Sequence, residues 1–258
     1  MSRTLIIGDI HGCYRELLRM ILAFQKNSFN GDRIFSVGDL IDKGPQAQQV
    51  ITLLVDEGAE LILGNHDDKL KRFIKRIRKG EYEKAKKIRN WVGLAELNNM
   101  LNDQERDWIV NAKSWHRDKN GFCIVHGGIE PGVHKMPFSG EDLSDLTKKE
   151  RGRLHQTKWV RYLNPETGRM VTTGTEQPGW PYWADLYDGR FGTAYFGHQP
   201  YMEAVPKFSN AVALDTGCVY GGKLTGAVLN GDGTLESYIS IPAERAYAVS
   251  HWGNSNAK

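Results

Sequence analysis

Several short apolar runs of this chain end in residues that could bind a metal ion. A glycine stands beside each of these run ends, and glycine lets the backbone turn sharply and approach a ligand closely. Ligand sites of α/β proteins form at the carboxyl ends of strands, so we expect these side chains to meet. The residues that follow the apolar runs are Asp9 and His11, Asp39, Asn65 and His66, His126, and His198.

Each of these residues, taken alone, has an ordinary structural explanation. A single aspartate after a strand is usually a turn residue or a helix N-cap, and a single asparagine is usually a turn former. A single histidine at a strand end is usually only hydrogen-bonded. Five strand ends that all carry metal-compatible side chains are poorly explained by five independent turns. Their shared position therefore favours one metal site.

The mixture of side chains indicates the kind of metal site. Two carboxylates, several imidazoles and one amide combine hard and borderline ligands, which suit Mn²⁺, Fe or Zn²⁺ better than Ca²⁺ or Mg²⁺. These ligands are too many for one tetrahedral zinc ion, but they divide between two ions if one carboxylate bridges. A pair of ions roughly 3.5–4 Å apart is suited to displacement at phosphorus. We therefore expect two divalent ions, with Mn²⁺ as the first choice.

The elements that must position these residues alternate in the first third of the chain. TLIIGD, RIFSVGD and AELILGN read as strands, and a helical pattern follows each of them. In the third helical pattern, one apolar face is formed by Leu70, Phe73, Ile74 and Ile77. This repetition predicts an α/β sheet with helices on its faces.

The rest of the chain is predicted to be less regular. FCIVHGG reads as a fourth strand, and residues 129–182 read as long loops with one helix near 141–154. The evenly spaced strands from TAYFGH to LESYIS indicate a second, β-rich sheet. No linker divides the sequence, so we expect one domain over residues 1–258. Residues 91–112 are expected to be helical, with core positions at Trp91, Leu94, Leu97, Leu101 and Trp108.

Composition limits the class of protein. The chain has 258 residues, enough for a full core, and no apolar run approaches the ~18 residues of a membrane span. Asp9 interrupts the N-terminal apolar run, which argues against a signal peptide. The three cysteines, Cys13, Cys123 and Cys218, are too few and odd in number for a disulfide framework. A cytoplasmic location is therefore expected.

Positive charge is concentrated in one stretch, residues 69–90. Eleven lysines and arginines stand there against two glutamates, although the net charge of the whole chain is only +3. One interpretation is a solvated helix face. The alternative is a contact surface for a polyanion such as a nucleotide or RNA.

The residues that end the strands lie in motifs that resemble a known family. GDIHG, GDLIDKG and GNHD resemble, in order and spacing, the three signature blocks of the phosphoprotein-phosphatase-type, or calcineurin-like, metallophosphoesterases. HGG at 126–128 and GHQP at 197–200 are similar to the family's later histidine blocks. The resemblance implies an α/β (α+β) fold, a central β-sandwich of two mixed sheets flanked by helices. It also implies that a loop-rich segment, residues 129–190, covers the site.

The resemblance also implies which residues bind the two metals. Asp9 and His11 would hold the first ion together with Asp39, which would bridge to the second ion. The remaining ligands of the second ion would be Asn65, His126 and His198. A hydroxide activated by the two metals would attack phosphorus.

Further residues match the family's catalytic positions. His66 would be the catalytic acid, and Asp42 the carboxylate that orients it. Lys43 stands where many members have an arginine; either cation can bind phosphate, although lysine lacks the bidentate fork. Arg190, in WADLYDGRFG, would be a second phosphate-binding residue, and Asn65 would also contact the phosphate.

The later motifs DTGCVYGGKLTG and WVRYLNPETGR are similar to a bacterial branch of this family. That branch includes symmetrical diadenosine tetraphosphatases, ApaH-like phosphatases and phosphatase modules of RNA repair. The resemblance thus implies a hydrolase of phosphate esters or anhydrides that resembles a bis(5'-nucleosyl)-tetraphosphatase. The alternatives are a serine/threonine protein phosphatase acting on phosphoproteins and an RNA-end or polyphosphate phosphatase. A non-catalytic binder and a nucleic-acid-binding module are rivals from other classes.

Overall fold

The alternating pattern of the N-terminal half folds into strands and helices in the predicted order. The computed structural model describes residues 2–159, 161–171, 177–206 and 208–249. The elements of this half are β1 (Thr4–Ile7), α1 (Tyr14–Gln25), β2 (Arg33–Ser36), α2 (Ala47–Asp56), β3 (Glu60–Leu61), α3 (Asn65–Arg78), α4 (Tyr82–Ala85), α5 (Trp91–Met100) and α6 (Asp103–Asn111).

The C-terminal half is mostly strands with two further helices. Its elements are β4 (Trp115–Arg117), β5 (Phe122–Val125), α7 (Lys148–Gln156), β6 (Tyr162–Asn164), β7 (Arg169–Val171), α8 (Trp183–Leu186), β8 (Thr193–Phe196), β9 (Ala211–Ala213), β10 (Asp215–Thr216), β11 (Lys223–Leu229) and β12 (Leu235–Pro242).

Two mixed sheets form the centre of the fold. The first has the order β10-β11-β1-β2-β3, with β12 also paired to β11. Within it β1, β2 and β3 run parallel, whereas β11 is antiparallel to β1. The second sheet has the order β4-β5-β8-β9, with β5, β8 and β9 parallel. Strands β6 and β7 make a separate hairpin.

Side-chain alternation along the strands builds the layers. In β1, Leu5 and Ile7 pack with apolar residues of α1, α2 and α3, while Ile6 faces the opposite way. Ile6 belongs to a buried cluster between the two sheets that includes Phe122 and Tyr195. The outer face of the second sheet packs against segment 129–191. The predicted central β-sandwich flanked by helices is confirmed.

Several details of the predicted elements were wrong. The predicted helix over 91–112 is two helices, because Asn102 caps α6 through its side chain. Trp91 is 38% exposed and is not a core residue, whereas Leu94 and Leu101 are buried. The helix expected near 141–154 begins after Thr147, which accepts from the backbone N–H of Glu150 in a capping box.

The last strands do not form one sheet. β8 and β9 extend the second sheet, but β10, β11 and β12 return to the first. Strand β4 and the β6–β7 hairpin were not predicted, since each strand has only three residues. Across the described ranges, none of the helices is both long and apolar enough to cross a bilayer.

Candidate active site

The sheet arrangement brings the predicted strand-end residues together. The loops after β1 and β2 are joined by hydrogen bonds from the backbone N–H groups of His11 and Gly12 to the carbonyls of Asp39 and Leu40, both 2.8 Å. Close approach is needed here: a Cβ on Gly197 would lie 1.9 Å from Asp9 Oδ1. Glycine is therefore required beside the cluster for steric reasons.

Asp39 lies at the centre of the cluster and presents one oxygen to each side. Its Oδ2 lies 3.6 Å from His11 Nε2, and its Oδ1 lies 3.3 Å from His126 Nε2. Two sets of metal-type ligands meet at this carboxylate, His11–Asp39–His66 and Asp39–His126–His198, each with its ligand atoms within 4.8 Å of one another. A carboxylate shared by two sets is the arrangement that a dinuclear centre requires.

Asn65 and His198 complete the second side of the cluster, and Asp9 lies next to them. Around His126 Nε2, Asn65 Oδ1 lies at 3.1 Å and His198 Nδ1 at 3.2 Å. Both carboxylate oxygens of Asp9 accept from the backbone N–H of His198 at 3.1 Å. The structure thus brings together all six predicted metal ligands.

Hydrogen bonds to backbone carbonyls fix the orientation of the His11 and His126 imidazoles. Nδ1 of His11 donates to the Ile41 carbonyl at 2.8 Å, and Nδ1 of His126 donates to the Val37 carbonyl at 3.0 Å. Each ring therefore turns Nε2 toward Asp39. A backbone carbonyl behind a histidine is the usual support of a metal ligand, so the donor set fits divalent ions.

Electrostatics of the cluster point to the same conclusion. Burial opposes a charged His126, but Asp39 and Asp9 outweigh it and raise the pKa of His126 to about 9. Burial, and then the neighbouring carboxylate of Asp215, raises the pKa of Asp9. Carboxylates buried this closely are costly unless a cation compensates them.

His66 and Asp42 form a pair beside the cluster. Nδ1 of His66 donates to Asp42 Oδ2 at 2.5 Å, and His66 Nε2 lies 3.9 Å from Asp39 Oδ2. Burial raises the pKa of Asp42, but the hydrogen bond and charge of His66 outweigh burial and lower it. Lys69 Nζ lies 3.5 Å from Asp42, and Asn90 Nδ2 donates to its other oxygen at 3.3 Å.

Lys43 points into the cluster. Its ammonium donates to His11 Nε2 at 2.7 Å and lies 5.1 Å from the centre of the Tyr220 ring. Burial lowers the pKa of Lys43, but Asp39 and Tyr220 outweigh burial and raise it. The structure therefore places Lys43 beside the candidate metal ligands.

Arg190 is not brought to the cluster, contrary to the prediction. Its guanidinium pairs with Asp188 at 2.7 Å, and its other N–H groups face the carbonyls of Pro131 and Val133. It lines a separate small cavity under segment 129–133. A different arginine, Arg161, lies beside the cluster, where its charge is second to burial in lowering the pKa of His198.

A cleft of about 630 Å³ opens onto the cluster. Its walls carry four basic side chains together with the predicted catalytic pair and one aromatic ring. Sequence reasoning had not assigned a role to several of these residues. The lining residues are Asp42, Lys43, Asn65, His66, Lys69, Arg89, Asn90, Trp159, Arg161 and His198.

Backbone strain is concentrated at this site. Within the described ranges, the residues other than glycine that have a positive φ all belong to the cluster or line the cleft. Such conformations cost free energy and persist where the surrounding structure enforces them, typically at functional sites. They are His11, Asp39, Asp42, Lys43, Asn90 and His198, with φ between 43° and 74°.

Asp67 supports the cluster through hydrogen bonds to the backbone, a role that was not predicted from the sequence. Its Oδ2 accepts from the backbone N–H groups of Asp39 at 2.7 Å and Gly64 at 3.1 Å, and its Oδ1 accepts from Leu40 at 2.9 Å. This buried carboxylate therefore ties the loop after β2 to the start of α3. The signal was present, since Asp67 is the last residue of GNHD.

The fold and the site together define a metallophosphoesterase. A sequence model of the calcineurin-like phosphoesterase family matches residues 2–202, and the chain belongs to that family. Members of this family use a dinuclear divalent metal site, for which the cluster around Asp39 supplies candidate ligands. The chain is thus a hydrolase that acts on phosphate esters or anhydrides.

The chain is also similar to individual proteins over most of its length. An asymmetrical bis(5'-nucleosyl)-tetraphosphatase of Oceanobacillus iheyensis is 32% identical, over 85% of this chain and 86% of its own. A symmetrical bis(5'-nucleosyl)-tetraphosphatase of Pseudomonas putida is 27% identical, over 86% and 88%. A crystal structure of a protein provisionally named a diadenosine tetraphosphatase superposes with a TM-score of 0.67 at 27% identity, covering 94% of each chain.

Proposed function

We propose that this chain hydrolyses dinucleoside tetraphosphates. The observation that carries the proposal is the cleft, which runs from the ligand cluster along four basic side chains, Lys43, Lys69, Arg89 and Arg161. One phosphoryl group needs few cations beyond the two metals, whereas a chain of phosphates presents negative charge along its whole length. Relatives named bis(5'-nucleosyl)-tetraphosphatase support this substrate.

In this proposal, six residues would hold two divalent ions, and Asp39 would contribute to both sets of ligands. Mixed carboxylate, imidazole and amide ligands favour Mn²⁺. When bound, the ions supply a water of lowered pKa and polarise the phosphoryl oxygens. The ligands are Asp9, His11, Asp39, Asn65, His126 and His198.

His66 acts as the general acid. Asp42 holds its Nδ1, so Nε2 faces the cluster and can give a proton to the oxygen of the leaving phosphate. Asn90 and Lys69 contact Asp42 and fix its carboxylate in turn. The leaving group therefore departs on the wall formed by α3 and Asn90.

Arg161, Lys43 and Asn65 bind the reacting phosphate. All three line the cleft next to the ligand cluster, and a fixed cation there offsets the charge that develops on the phosphoryl oxygens. Arg161 takes the role that the sequence had suggested for Arg190. Its guanidinium can bind phosphate with two parallel N–H groups, which Lys43 cannot do.

We further propose that residues 1–258 form one domain in which segment 129–190 covers the site. Trp159 and Arg161 come from this segment and line the cleft. Residues 160 and 172–176 of the segment lie outside the described ranges. Cys13, Cys123 and Cys218 are free and buried, which supports a reducing compartment such as the cytoplasm.

The test is substrate preference after metal replacement. Protein stripped of metal and reloaded with Mn²⁺ is assayed on diadenosine tetraphosphate, a phosphoserine peptide and p-nitrophenyl phosphate. We expect turnover that depends on the metal, with kcat/KM highest for the tetraphosphate. Chromatography of the products distinguishes two ADP from ATP and AMP. Preference for the phosphopeptide would overturn the proposal.

A further inference from the structure

Several cations of the basic stretch 69–90 have partners within the protein. Ion pairs join Arg72 to Asp68 and Arg78 to Asp107, at 2.8 and 2.7 Å. Three more cations pair with glutamates of the stretch itself, and one ammonium binds a backbone carbonyl. These contacts are Arg76–Glu81, Lys84–Glu81, Lys86–Glu83 and Lys71 with the Ala112 carbonyl. These contacts reduce the positive charge that the middle of the stretch presents to a polyanion. Its remaining cations, Lys75, Lys79 and Lys87, are exposed and do not line the cleft.

The two ends of the stretch differ from its middle in that both lie at the cleft, although Lys69 also pairs with Asp42 at 3.5 Å. Lys69, in the first half of α3, and Arg89, just before α5, both line the cleft of the candidate active site. Among the described residues, Arg89 has no ion pair or hydrogen bond. The other ten lysines and arginines of the stretch all lie within 20 residues of it in the sequence. A guanidinium placed at a cleft without an internal partner is available to bind an anion from solution.

Lys69 and the residue after Arg89 both lie next to the pair formed by His66 and Asp42. Lys69 Nζ lies 3.3 Å from His66 Nδ1. Asn90, the neighbour of Arg89, donates to Asp42, which holds His66. Asn90 has φ 63°, and a Cβ on Gly93 would lie 3.1 Å from its Nδ2, so the turn at Arg89–Asn90 is fixed against α5.

We infer that Lys69 and Arg89 form a subsite for the phosphates of the leaving group, beyond the bond that is broken. The inference rests on the proposed function, because His66 as general acid marks the leaving-group side. The ligand is the linear phosphate chain of a nucleoside polyphosphate. Arg161 and Trp159, which line the same cleft, come from segment 129–190 instead. The basic stretch therefore contributes to substrate recognition through its two ends.

The variant Arg89→Gln tests the subsite, with Lys75→Gln and Lys79→Gln as matched controls. Both controls remove one positive charge from exposed positions of the same stretch that do not line the cleft. Two quantities are measured with the Mn²⁺-loaded protein. One is kcat/KM for diadenosine tetraphosphate and p-nitrophenyl phosphate; the other is the inhibition constant of inorganic tripolyphosphate against p-nitrophenyl phosphate hydrolysis.

For Arg89→Gln we expect kcat/KM for the tetraphosphate to fall about tenfold or more, as for loss of a charge-assisted hydrogen bond. The inhibition constant of tripolyphosphate should rise by a similar factor, whereas kcat/KM for p-nitrophenyl phosphate should fall less than about threefold. The dependence of tetraphosphate turnover on salt should become weaker. Both lysine controls should stay within about twofold of the parent protein, as for a screened surface charge.

The outcomes separate the subsite from the proposed substrate. A rise in the tripolyphosphate inhibition constant in Arg89→Gln, without tetraphosphate turnover by the parent protein, would support the subsite and contradict the substrate. Tetraphosphate turnover that responds equally to Arg89→Gln and Lys75→Gln would overturn the subsite alone. Equal losses on tetraphosphate and p-nitrophenyl phosphate would also overturn it, because Arg89 would then act on the reacting phosphate.

Discussion

His66 Nδ1 and Asp42 Oδ2 lie 2.5 Å apart, although Asp42 is in the loop after β2 and His66 is in the helix that follows β3. Asp42 is held at φ 67° after β2, and His66 is in the first turn of α3. A carboxylate on Nδ1 fixes the tautomer of the imidazole and turns its Nε2 toward Asp39. The pair therefore gives a concrete expectation for catalysis.

Replacement of His66 by Asn should lower kcat by about 10²–10⁴ for substrates whose leaving group needs a proton. The loss should be much smaller for p-nitrophenyl phosphate, whose leaving group departs as a stable anion. Metal content should not change. Steady-state kinetics on p-nitrophenyl phosphate and on an alkyl phosphate give the comparison, and equal losses on both would show that His66 is not the acid.

Two of the arginines of segment 129–190, Arg161 and Arg190, should differ in their effect on activity. Arg161→Ala should lower kcat/KM by about tenfold or more, because a guanidinium that binds the reacting phosphate is lost. Arg190→Ala should leave kcat/KM within about twofold, since Arg190 is an exposed partner of Asp188. Both variants are assayed on the same substrates with metal content measured. A larger loss in Arg190→Ala would restore the role predicted from the sequence.

Lys71 provides a prediction on stability. Burial, and then the neighbouring charge of Lys75, lowers the pKa of Lys71 from 10.5 to about 8. Between pH 8 and pH 10.5, Lys71 binds its proton more strongly in the unfolded chain than in the folded protein. Lys71 therefore lowers the free energy of unfolding fully below pH 8, where it is charged in both states. This cost disappears as the pH rises toward 10.5.

Lys71→Met should therefore stabilise the protein relative to the parent most strongly below pH 8. The difference between the two free energies of unfolding should shrink as pH rises through 8 toward 10.5. Urea denaturation at a series of pH values measures it. A difference that does not vary with pH would contradict the account, since loss of the bond to the Ala112 carbonyl alone has no such dependence.

Much of the site could be predicted because its residues stand at strand ends in short, ordered motifs. Asp9, Asp39 and Asn65 follow β1, β2 and β3, whose apolar runs are visible in the sequence, and parallel strands in adjacent positions must bring their ends together. Their convergence is a consequence of sheet geometry.

The positions of the Arg190 and Arg161 side chains could not be predicted from sheet geometry. Both lie in the irregular segment 129–190, where no periodic pattern fixes the direction of a side chain. The role of Arg190 depended on the resemblance of WADLYDGRFG to the family, whereas the structure pairs Arg190 with Asp188, two residues away. Trp91 was misplaced for a similar reason: it begins α5, which buries only Leu94 completely, and an aromatic residue in a helix can face solvent.

The basic stretch 69–90 illustrates another limit. Its charge was evident, but two of its neutralising partners, Asp68 and Asp107, lie outside it, and the second is 29 residues from Arg78. Composition cannot distinguish a paired cation from an unpaired one. Only the fold shows that Lys69 and Arg89 face the cleft.

The central claim is that one carboxylate, Asp39, serves two metal ions. Elemental analysis of the purified protein and of Asp39→Asn, after dialysis against Mn²⁺ and removal of free metal, tests it most directly. We predict two ions per chain in the parent protein and loss of both in the variant, because both sets of ligands share Asp39. Loss of a single ion in Asp39→Asn, or full activity of the parent protein with one ion or none, would contradict the account.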